Sequence, residues 1–207
     1  MSSYSDFLAQ DFGSRCYDLM KRFFPSSQGV ELEVTFLLAI AAAGLIIPHE
    51  RLSQRSDQPP LDRQRFASAS KALDTLLAER LVDVVRRQWK GGLLAKADGA
   101  PDDWDELQDP ANMEEQTSLL QVVTCLRNAL AHGNIFTRPP APSSTKEIVF
   151  ICGYPATHQK AKNQPLRFVL ASPDDLREFL ERWFERLASL SISGHELGER
   201  LGDLETT

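Results

Sequence analysis

The 207-residue chain is long enough for one domain with a substantial hydrophobic core. Its composition, 42% hydrophobic and 25% charged, is typical of a globular protein and unlike that of a disordered, collagen-like or membrane-embedded chain. The net charge of -6 excludes an overall positive field that would attract nucleic acid. Any RNA binding must therefore depend on a local basic patch.

Cysteine usage and the apolar runs indicate a cytoplasmic protein. Cys16, Cys125 and Cys152 are odd in number, widely spaced and in no C-x-x-C pair, which argues against a disulfide framework and a thiolate zinc site. The opening sequence MSSYSDFLAQDF is polar and does not resemble a secretory leader. The longest apolar run, Val34–Ile47, is shorter than the ~20 residues that a membrane-spanning helix needs.

The first half of the chain is predicted to be helical. Apolar residues at helical spacing predict three helices, at Ser5–Phe24, Glu31–Ile47 and Leu61–Trp89. The first is expected to end at FFPSSQG, the second at Pro48 and the third at Gly91-Gly92. Residues 98–115 are acidic and irregular, which is typical of a solvated loop.

The second half alternates helix and strand. A helix is predicted over Glu114–His132, with Gly133 closing it, followed by two paired strands at Glu147–Cys152 and Leu166–Ala171. A last long helix begins with Ser172 as its capping residue. The predicted fold class is mainly α. We expect a single domain over residues 1–207, a helical bundle with a small β-hairpin (about 146–171) before the last long helix and a C-terminal tail (about 192–207).

The stretch LRNALAHGNI, residues 126–135, places three polar side chains at the end of an otherwise apolar helix. Asn128 and His132 are four residues apart, so they are neighbours on one helix face and can share a hydrogen bond. Arg127 and His132 are five apart and about 140° apart around the axis of an ideal helix. A long arginine side chain, a loosened turn at Gly133 or a second copy of the helix would be needed to bring them to one phosphate.

These residue types suit RNA cleavage. An imidazole can transfer a proton near neutral pH, and a guanidinium can stabilise a phosphate oxygen that gains negative charge. The 2′-hydroxyl of RNA supplies the nucleophile, so this chemistry needs no metal or other cofactor.

At these residues the chain resembles the HEPN superfamily, the higher eukaryotes and prokaryotes nucleotide-binding domains. RNALAH matches its Arg-Asn-x-x-x-His motif, with Arg127, Asn128 and His132 at the motif positions. The resemblance implies a helical bundle that forms a homodimer with two motifs lining one cleft, and in many members a metal-independent endoribonuclease. Many such members are toxins or defence effectors that act on tRNA or mRNA. The tyrosine that some toxin members carry two residues after the histidine is replaced here by Asn134.

Several alternatives remain open for the motif. Asn128 and His132 can simply satisfy the helix end while Arg127 extends into solvent. A catalytically inactive HEPN-like module would bind RNA, a nucleotide or a partner protein such as an antitoxin in the same cleft. A structural protein would use its apolar helices for oligomerisation.

A second group of basic residues follows the motif helix. They form either a solvated face or a set of contacts to RNA phosphates. These residues are Arg138, Lys146, Lys160, Lys162 and Arg167. Trp104 and Tyr154 can stack on a base, although lone aromatic residues are more often packing residues. His49, His158 and His195 have no second ligand at helical or hairpin spacing, so no metal site is expected.

Overall fold

The computed structural model describes residues 8–28, 32–52, 70–87, 89–94, 104–138, 147–152 and 166–189. Within these ranges the fold combines helices with one antiparallel sheet. The helices are α1 (Leu8–Gln28), α2 (Glu33–Leu52), α3 (described over residues 70–77), α4 (Asp105–Gln108), α5 (Leu119–His132) and α6 (Pro173–Ser189). The strands are β1 (Lys90–Leu94), β2 (Ile135–Arg138), β3 (Glu147–Cys152) and β4 (Leu166–Ala171). The predicted mainly helical class is confirmed.

Two prolines that were expected to end helices lie inside them. Pro25 lies within α1, on its exposed side, so water can reach the carbonyl of Lys21 that lacks its helical donor. Pro48 lies within α2 and is buried, so the carbonyl of Gly44, four residues earlier, needs another donor. The indole Nε1 of Trp183 on α6 donates to that carbonyl at 3.1 Å. Helix α2 therefore continues past Pro48 to Leu52.

The predicted carboxyl end of the third helix, Leu61–Trp89, is wrong. Regular helix stops after residue 77, and Leu81–Asp83 forms a short 3-10 helix. Residues 81, 84 and 85 are buried, and an α-helix would bury residues at the same spacing. The apolar pattern therefore could not distinguish a continued α-helix from this 3-10 turn. Gly91-Gly92, predicted to end that helix, lies inside strand β1.

The acidic stretch predicted to be a solvated loop contains the short helix α4. Leu107 of this helix is fully buried, because it packs beneath the sheet with Trp104. The loop was predicted from the many carboxylates of this stretch, and the two apolar residues among them, Trp104 and Leu107, were not recognised as buried. The start of the third predicted helix (61–69) and the predicted tail (192–207) lie outside the described residues.

The predicted hairpin forms the centre of a larger sheet. Strands β3 and β4 have the predicted bounds and pair antiparallel, with Cys152 opposite Arg167. β1 extends the sheet beside β4, and β2 extends it beside β3, giving the order β1-β4-β3-β2. Neither outer strand was predicted from the sequence.

The two faces of the sheet pack against different partners. Ile148, Phe150, Val169 and Ala171 face the main core, together with residues of the long helices. The opposite face forms a smaller cluster. Its members are Leu94, Trp104, Leu107, Val149, Ile151, Phe168 and Leu170. Because alternate residues of each central strand are apolar on both sides, the sheet is a buried layer between two cores.

Helix α6 begins as predicted. The Asp175 amide donates to Ser172 Oγ at 3.1 Å, and the Ser172 amide and hydroxyl both donate to the Asp175 carboxylate, at 3.3 and 2.6 Å. Within this helix Glu178 and Arg182, four residues apart, form an ion pair at 3.2 Å. Among the described residues, no helix combines the length and apolar character required to cross a membrane.

Candidate functional site

Helix α5 carries Arg127, Asn128 and His132, the residues of the predicted motif, and is fixed at both ends. It begins at Leu119, later than predicted, because Ser118 Oγ accepts a hydrogen bond from the Gln121 amide at 3.3 Å. It ends at His132, as predicted. Gly133 adopts the left-handed conformation with φ of 71°, which is strained for residues with a Cβ atom.

The segment that follows α5 is tied to the sheet. The Asn134 amide donates to the Ala129 carbonyl at 2.9 Å, and the Asn134 carbonyl accepts from the Ile151 amide at 3.0 Å. Strand β2 begins at the next residue, Ile135. The end of the motif helix therefore has a defined position relative to strand β3.

The three motif residues differ in their surroundings. Arg127 and Asn128 are half-buried, whereas His132 in the last turn is exposed. The Nδ2 atom of Asn128 donates to the Sγ atom of Cys152 at 3.5 Å. The Asn128 amide therefore has a partner on β3, and its predicted hydrogen bond to His132 stays a prediction.

Cys152 lies at a locally positive position. It ends strand β3 directly opposite Arg167 of β4, so the two side chains are on the same face of the sheet as α5. The hydrogen bond with Cys125 lowers the pKa of the Cys152 thiol, and the Asn128 amide and the positive charges of Arg167 and Arg127 act in the same direction. Burial opposes these effects. The site thus favours a thiolate beside the two motif residues.

Cys125 completes this group from within α5, three residues before Asn128. Its Sγ lies 3.6 Å from the Phe150 carbonyl oxygen and 3.8 Å from the Arg167 carbonyl oxygen. The hydrogen bond with Cys152 and complete burial raise the pKa of the Cys125 thiol. This thiol therefore keeps its proton and can donate it to the carbonyl oxygens of Phe150 and Arg167.

Neither Cys125 nor Cys152 was predicted to belong to the site, because the two residues are far apart in the chain. A usable signal was present. Cys125 and Asn128 have helical i, i+3 spacing, and Cys152 ends a correctly predicted strand. Packing of α5 on β3 then places the Cys125 sulfur beside the backbone of Phe150, two residues before Cys152.

The basic residues predicted to bind RNA are not equivalent. Arg167 is exposed on β4. The Arg138 guanidinium is largely buried and donates to the Leu107 carbonyl at 2.5 Å and to Glu147 at 3.1 Å. Through these contacts Arg138 links β2 to β3 and α4. A contact of Arg138 with an RNA phosphate stays a prediction. Lys146, Lys160 and Lys162 lie outside the described residues.

The remaining candidates add little to the site. Trp104 is buried against Phe136, with ring centroids 6.1 Å apart, so it is a packing residue. Tyr154, His49, His158 and His195 have no described side chain. Over the parts of the chain that the structure describes, no three or more histidine, cysteine or carboxylate side chains group together as a metal site would require.

Comparison with known proteins identifies the family. The model of the family described as HEPN pEK499 p136 matches residues 1–191, which is most of the chain. The chain belongs to this HEPN family. Searches of curated proteins and of solved structures gave no match. The HEPN assignment covers the motif helix and the sheet together, so the strands are part of the matched domain. The roles of Arg127, Asn128 and His132 within this HEPN domain remain predictions.

Proposed function

We propose that this HEPN protein is a metal-independent endoribonuclease that cleaves RNA by attack of the substrate 2′-hydroxyl. His132 transfers the proton, Arg127 stabilises the charge of the phosphorane-like transition state, and Asn128 orients the histidine or the substrate. The product carries a cyclic phosphate, because the attacking oxygen remains bonded to phosphorus.

One observation supports the proposal above the others. Arg167 of β4 lies directly opposite Cys152 of β3, and Asn128, the residue after Arg127 on α5, donates to the Cys152 sulfur at 3.5 Å. Both guanidinium charges lower the pKa of that thiol. An exposed imidazole lies in the last turn of the same helix. A phosphate near this position would meet two guanidinium groups, and its bonding to the exposed Arg167 would fix it beside the motif.

The proposal includes a homodimer with the active site at the interface. Arg127 and His132 point in different directions on one helix, because two residues five positions apart lie about 140° apart around the helix axis. A second copy of α5 would bring the arginine of one subunit towards the histidine of the other. Such an arrangement is a two-fold interface, in which each subunit contributes the same surface.

A cleavage assay with a structured RNA in the presence of a chelator tests the activity. His132→Ala should lower the cleavage rate by roughly 10²–10⁴-fold, the usual contribution of a general acid or base. Arg127→Ala should lower it by roughly 10²–10³-fold, as for loss of one transition-state donor. Arg86→Ala is the matched control, because Arg86 is an exposed arginine that pairs with Glu178 of α6.

The substrate provides an independent control. An RNA with a single 2′-deoxy nucleotide at the cleavage position should resist cleavage there, since the nucleophile is absent, while neighbouring positions are still cut. Full-rate cleavage by His132→Ala, or cleavage of the deoxy position, would rule out the proposed mechanism.

Mixing two inactive variants tests the shared site. If one site takes Arg127 from one copy and His132 from the other, subunits with Arg127→Ala and with His132→Ala will form mixed dimers with one intact site. The mixture should then recover about a quarter of the wild-type activity, because half the dimers are mixed and half their sites are intact. No recovery from demonstrably exchanged dimers would show that each site lies within one subunit.

A second candidate function is supported by the Asn128 contact. Its amide donates to Cys152 and so has a structural role independent of catalysis. An inactive HEPN module would bind RNA, a nucleotide or a partner protein in the same cleft. In that case a titration of labelled RNA would show binding that depends on Arg127 and Arg167, with no chelator-resistant cleavage.

The biological role proposed with the nuclease is that of a toxin or defence effector. A partner protein, such as an antitoxin, would restrain it by covering the cleft. Expression of the wild-type chain should then arrest growth, and expression of the His132→Ala variant should not. Equal growth arrest by both would exclude a toxic role for the cleavage activity.

A further inference from the structure

The thiol pair beside the motif is not explained by the proposed reaction. RNA cleavage through the 2′-hydroxyl needs no sulfur nucleophile, yet two cysteines lie at the contact of α5 with β3. The Cys125 sulfur is 3.6 Å from the carbonyl oxygen of Phe150, two residues before Cys152, and 3.8 Å from that of Arg167, which lies opposite Cys152. Both are free thiols. Cys16, the third cysteine, is buried in α1. The pair therefore calls for a chemical role of its own.

The two sulfur atoms differ in exposure and in their hydrogen-bond partners. Cys152 is partly exposed and receives a hydrogen bond from the Asn128 amide, so it is the accessible and activated sulfur. Cys125 is fully buried, and carbonyl oxygens of Phe150 and Arg167 lie near its thiol. An outside reagent can therefore reach Cys152 first and Cys125 only through it.

We propose that Cys152 is a peroxide-reactive modification site and that Cys125 resolves it by forming a disulfide between α5 and β3. That this disulfide also controls RNA cleavage rests on the proposed function.

The reaction balances with a hydroperoxide as the oxidant. The Cys152 thiolate attacks one peroxide oxygen, so an S–O bond forms, the O–O bond breaks, and the other oxygen leaves as hydroxide or alkoxide. Sulfur loses two electrons and the peroxide gains them. The Cys125 sulfur then attacks the sulfenic sulfur, the S–O bond breaks, and hydroxide takes the Cys125 proton and leaves as water.

The disulfide would alter the candidate site through Asn128. The thiolate that accepts the Asn128 amide bond becomes a neutral sulfur, which is a weak acceptor. The negative charge next to Arg127 and Arg167 also disappears. In addition, an S–S bond of about 2.05 Å requires Cys125 and Cys152 to approach more closely than hydrogen-bonded thiols, which shifts α5 relative to β3. Oxidation should therefore disturb the position of the motif residues.

Mass spectrometry of the full-length protein tests the modification without reference to RNA. After brief treatment with hydrogen peroxide, the native protein should lose two hydrogens, and proteolytic mapping should show one peptide pair joined through Cys125 and Cys152. Cys16 is the internal control, because burial raises its pKa to about 12 and it should stay reduced. Absence of the linked pair, or preferential oxidation of Cys16, would overturn the proposal.

Variants assign the order of events. In Cys125→Ala, the sulfenic acid on Cys152 should persist and be captured by a cyclic 1,3-dione probe. In Cys152→Ser, probe capture and disulfide should both be absent. Because Cys125 is fully buried and its variant can fail to fold, the same probe is added to the wild-type protein during oxidation. There it should compete with the disulfide at Cys152. Capture at Cys125 instead would reverse the assigned roles and overturn the proposal.

The activity arm separates this inference from the proposed function. In a protein that cleaves RNA, oxidised wild type should fall to the rate of reduced Asn128→Ala, and a thiol reductant should restore it. The ratio of oxidised to reduced rate should be one for Cys152→Ser. An unchanged rate for protein with the mapped disulfide would overturn the regulatory role. If the reduced protein cleaves no RNA but forms the mapped disulfide, the nuclease proposal fails and the modification site stands.

Discussion

Replacement of Gly44 by alanine is expected to destabilise the protein, although alanine has a higher helix propensity than glycine. A Cβ atom at Gly44 would lie 2.1 Å from Cε1 and 2.3 Å from Cζ of Phe184, far inside van der Waals contact. Phe184 is fully buried, so its ring has no open space to enter. Overpacking of this kind costs about 1–3 kcal/mol. The gain in helix propensity from glycine to alanine is about 1 kcal/mol. We expect a net loss of about 1 kcal/mol in the free energy of unfolding.

The assay is urea denaturation followed by circular dichroism, with the midpoint compared at constant m value. Ala39→Gly is the matched control, because Ala39 is exposed on the same helix and reports propensity alone, with an expected loss of about 1 kcal/mol. In a Phe184→Leu background, where the ring edge is absent, Gly44→Ala should cease to destabilise. If Gly44→Ala in the wild type instead raises the stability by as much as Ala39→Gly lowers it, the close α2–α6 packing is refuted.

Three further predictions concern the packing and the candidate site. Gly133→Ala should cost about 1–2 kcal/mol, because φ is 71° and a Cβ atom there would meet open space, so the whole cost is backbone strain that thermal unfolding would detect. Trp183→Phe should cost about 1–3 kcal/mol, because it leaves the Gly44 carbonyl without a donor; an unchanged urea midpoint would contradict this. The rate at which iodoacetamide labels Cys152 should be half-maximal at a pH below ~8.5, the pKa of a free cysteine. The rate should fall at lower pH, because the reactive thiolate becomes protonated. Cys16 should stay unlabelled in the folded protein, and a Cys152 profile centred at or above pH ~8.5 would show that its charged neighbours are wrongly assigned.

Local signals in the sequence were sufficient where one segment determines its own structure. The serine cap and acidic first turn located the start of α6, and the β-branched runs gave the bounds of β3 and β4. The glycine after His132 located the end of α5. In each case the decisive interaction lies within a few residues of the chain.

Long-range contacts account for the errors. Pro48 stops an isolated helix because one carbonyl loses its donor, but Trp183, distant in sequence, supplies a replacement. The outer strands β1 and β2 are short, and β1 contains two glycines, so neither has strong intrinsic preference. They become strands because β4 and β3 present edges with which they can pair.

The same distinction applies to the candidate site. Arg127, Asn128 and His132 were visible as a motif because they lie within six residues of one helix. The pairing of Asn128 with Cys152 and the position of Arg167 depend on how α5 packs against the sheet. Sequence patterns therefore give the motif as a prediction, whereas its charged and sulfur-bearing surroundings required the tertiary structure.

The arrangement of ion pairs bears on the proposal that a chain with a net charge of -6 binds RNA. The arginine-rich face of α6 is balanced by carboxylates, as in the pairs Arg182–Glu178 at 3.2 Å and Arg87–Asp175 at 3.6 Å. Such a face presents little net field to RNA, whatever its number of arginines. At the end of β3, the charges of Arg127 and Arg167 act together on the Cys152 thiol and favour its negative form. Two guanidinium charges outweigh the single charge of a thiolate, so a net attraction for a phosphate remains at this position. The local balance of charge around one position therefore decides whether it can attract RNA, and neither the net charge nor the count of basic residues reveals that balance.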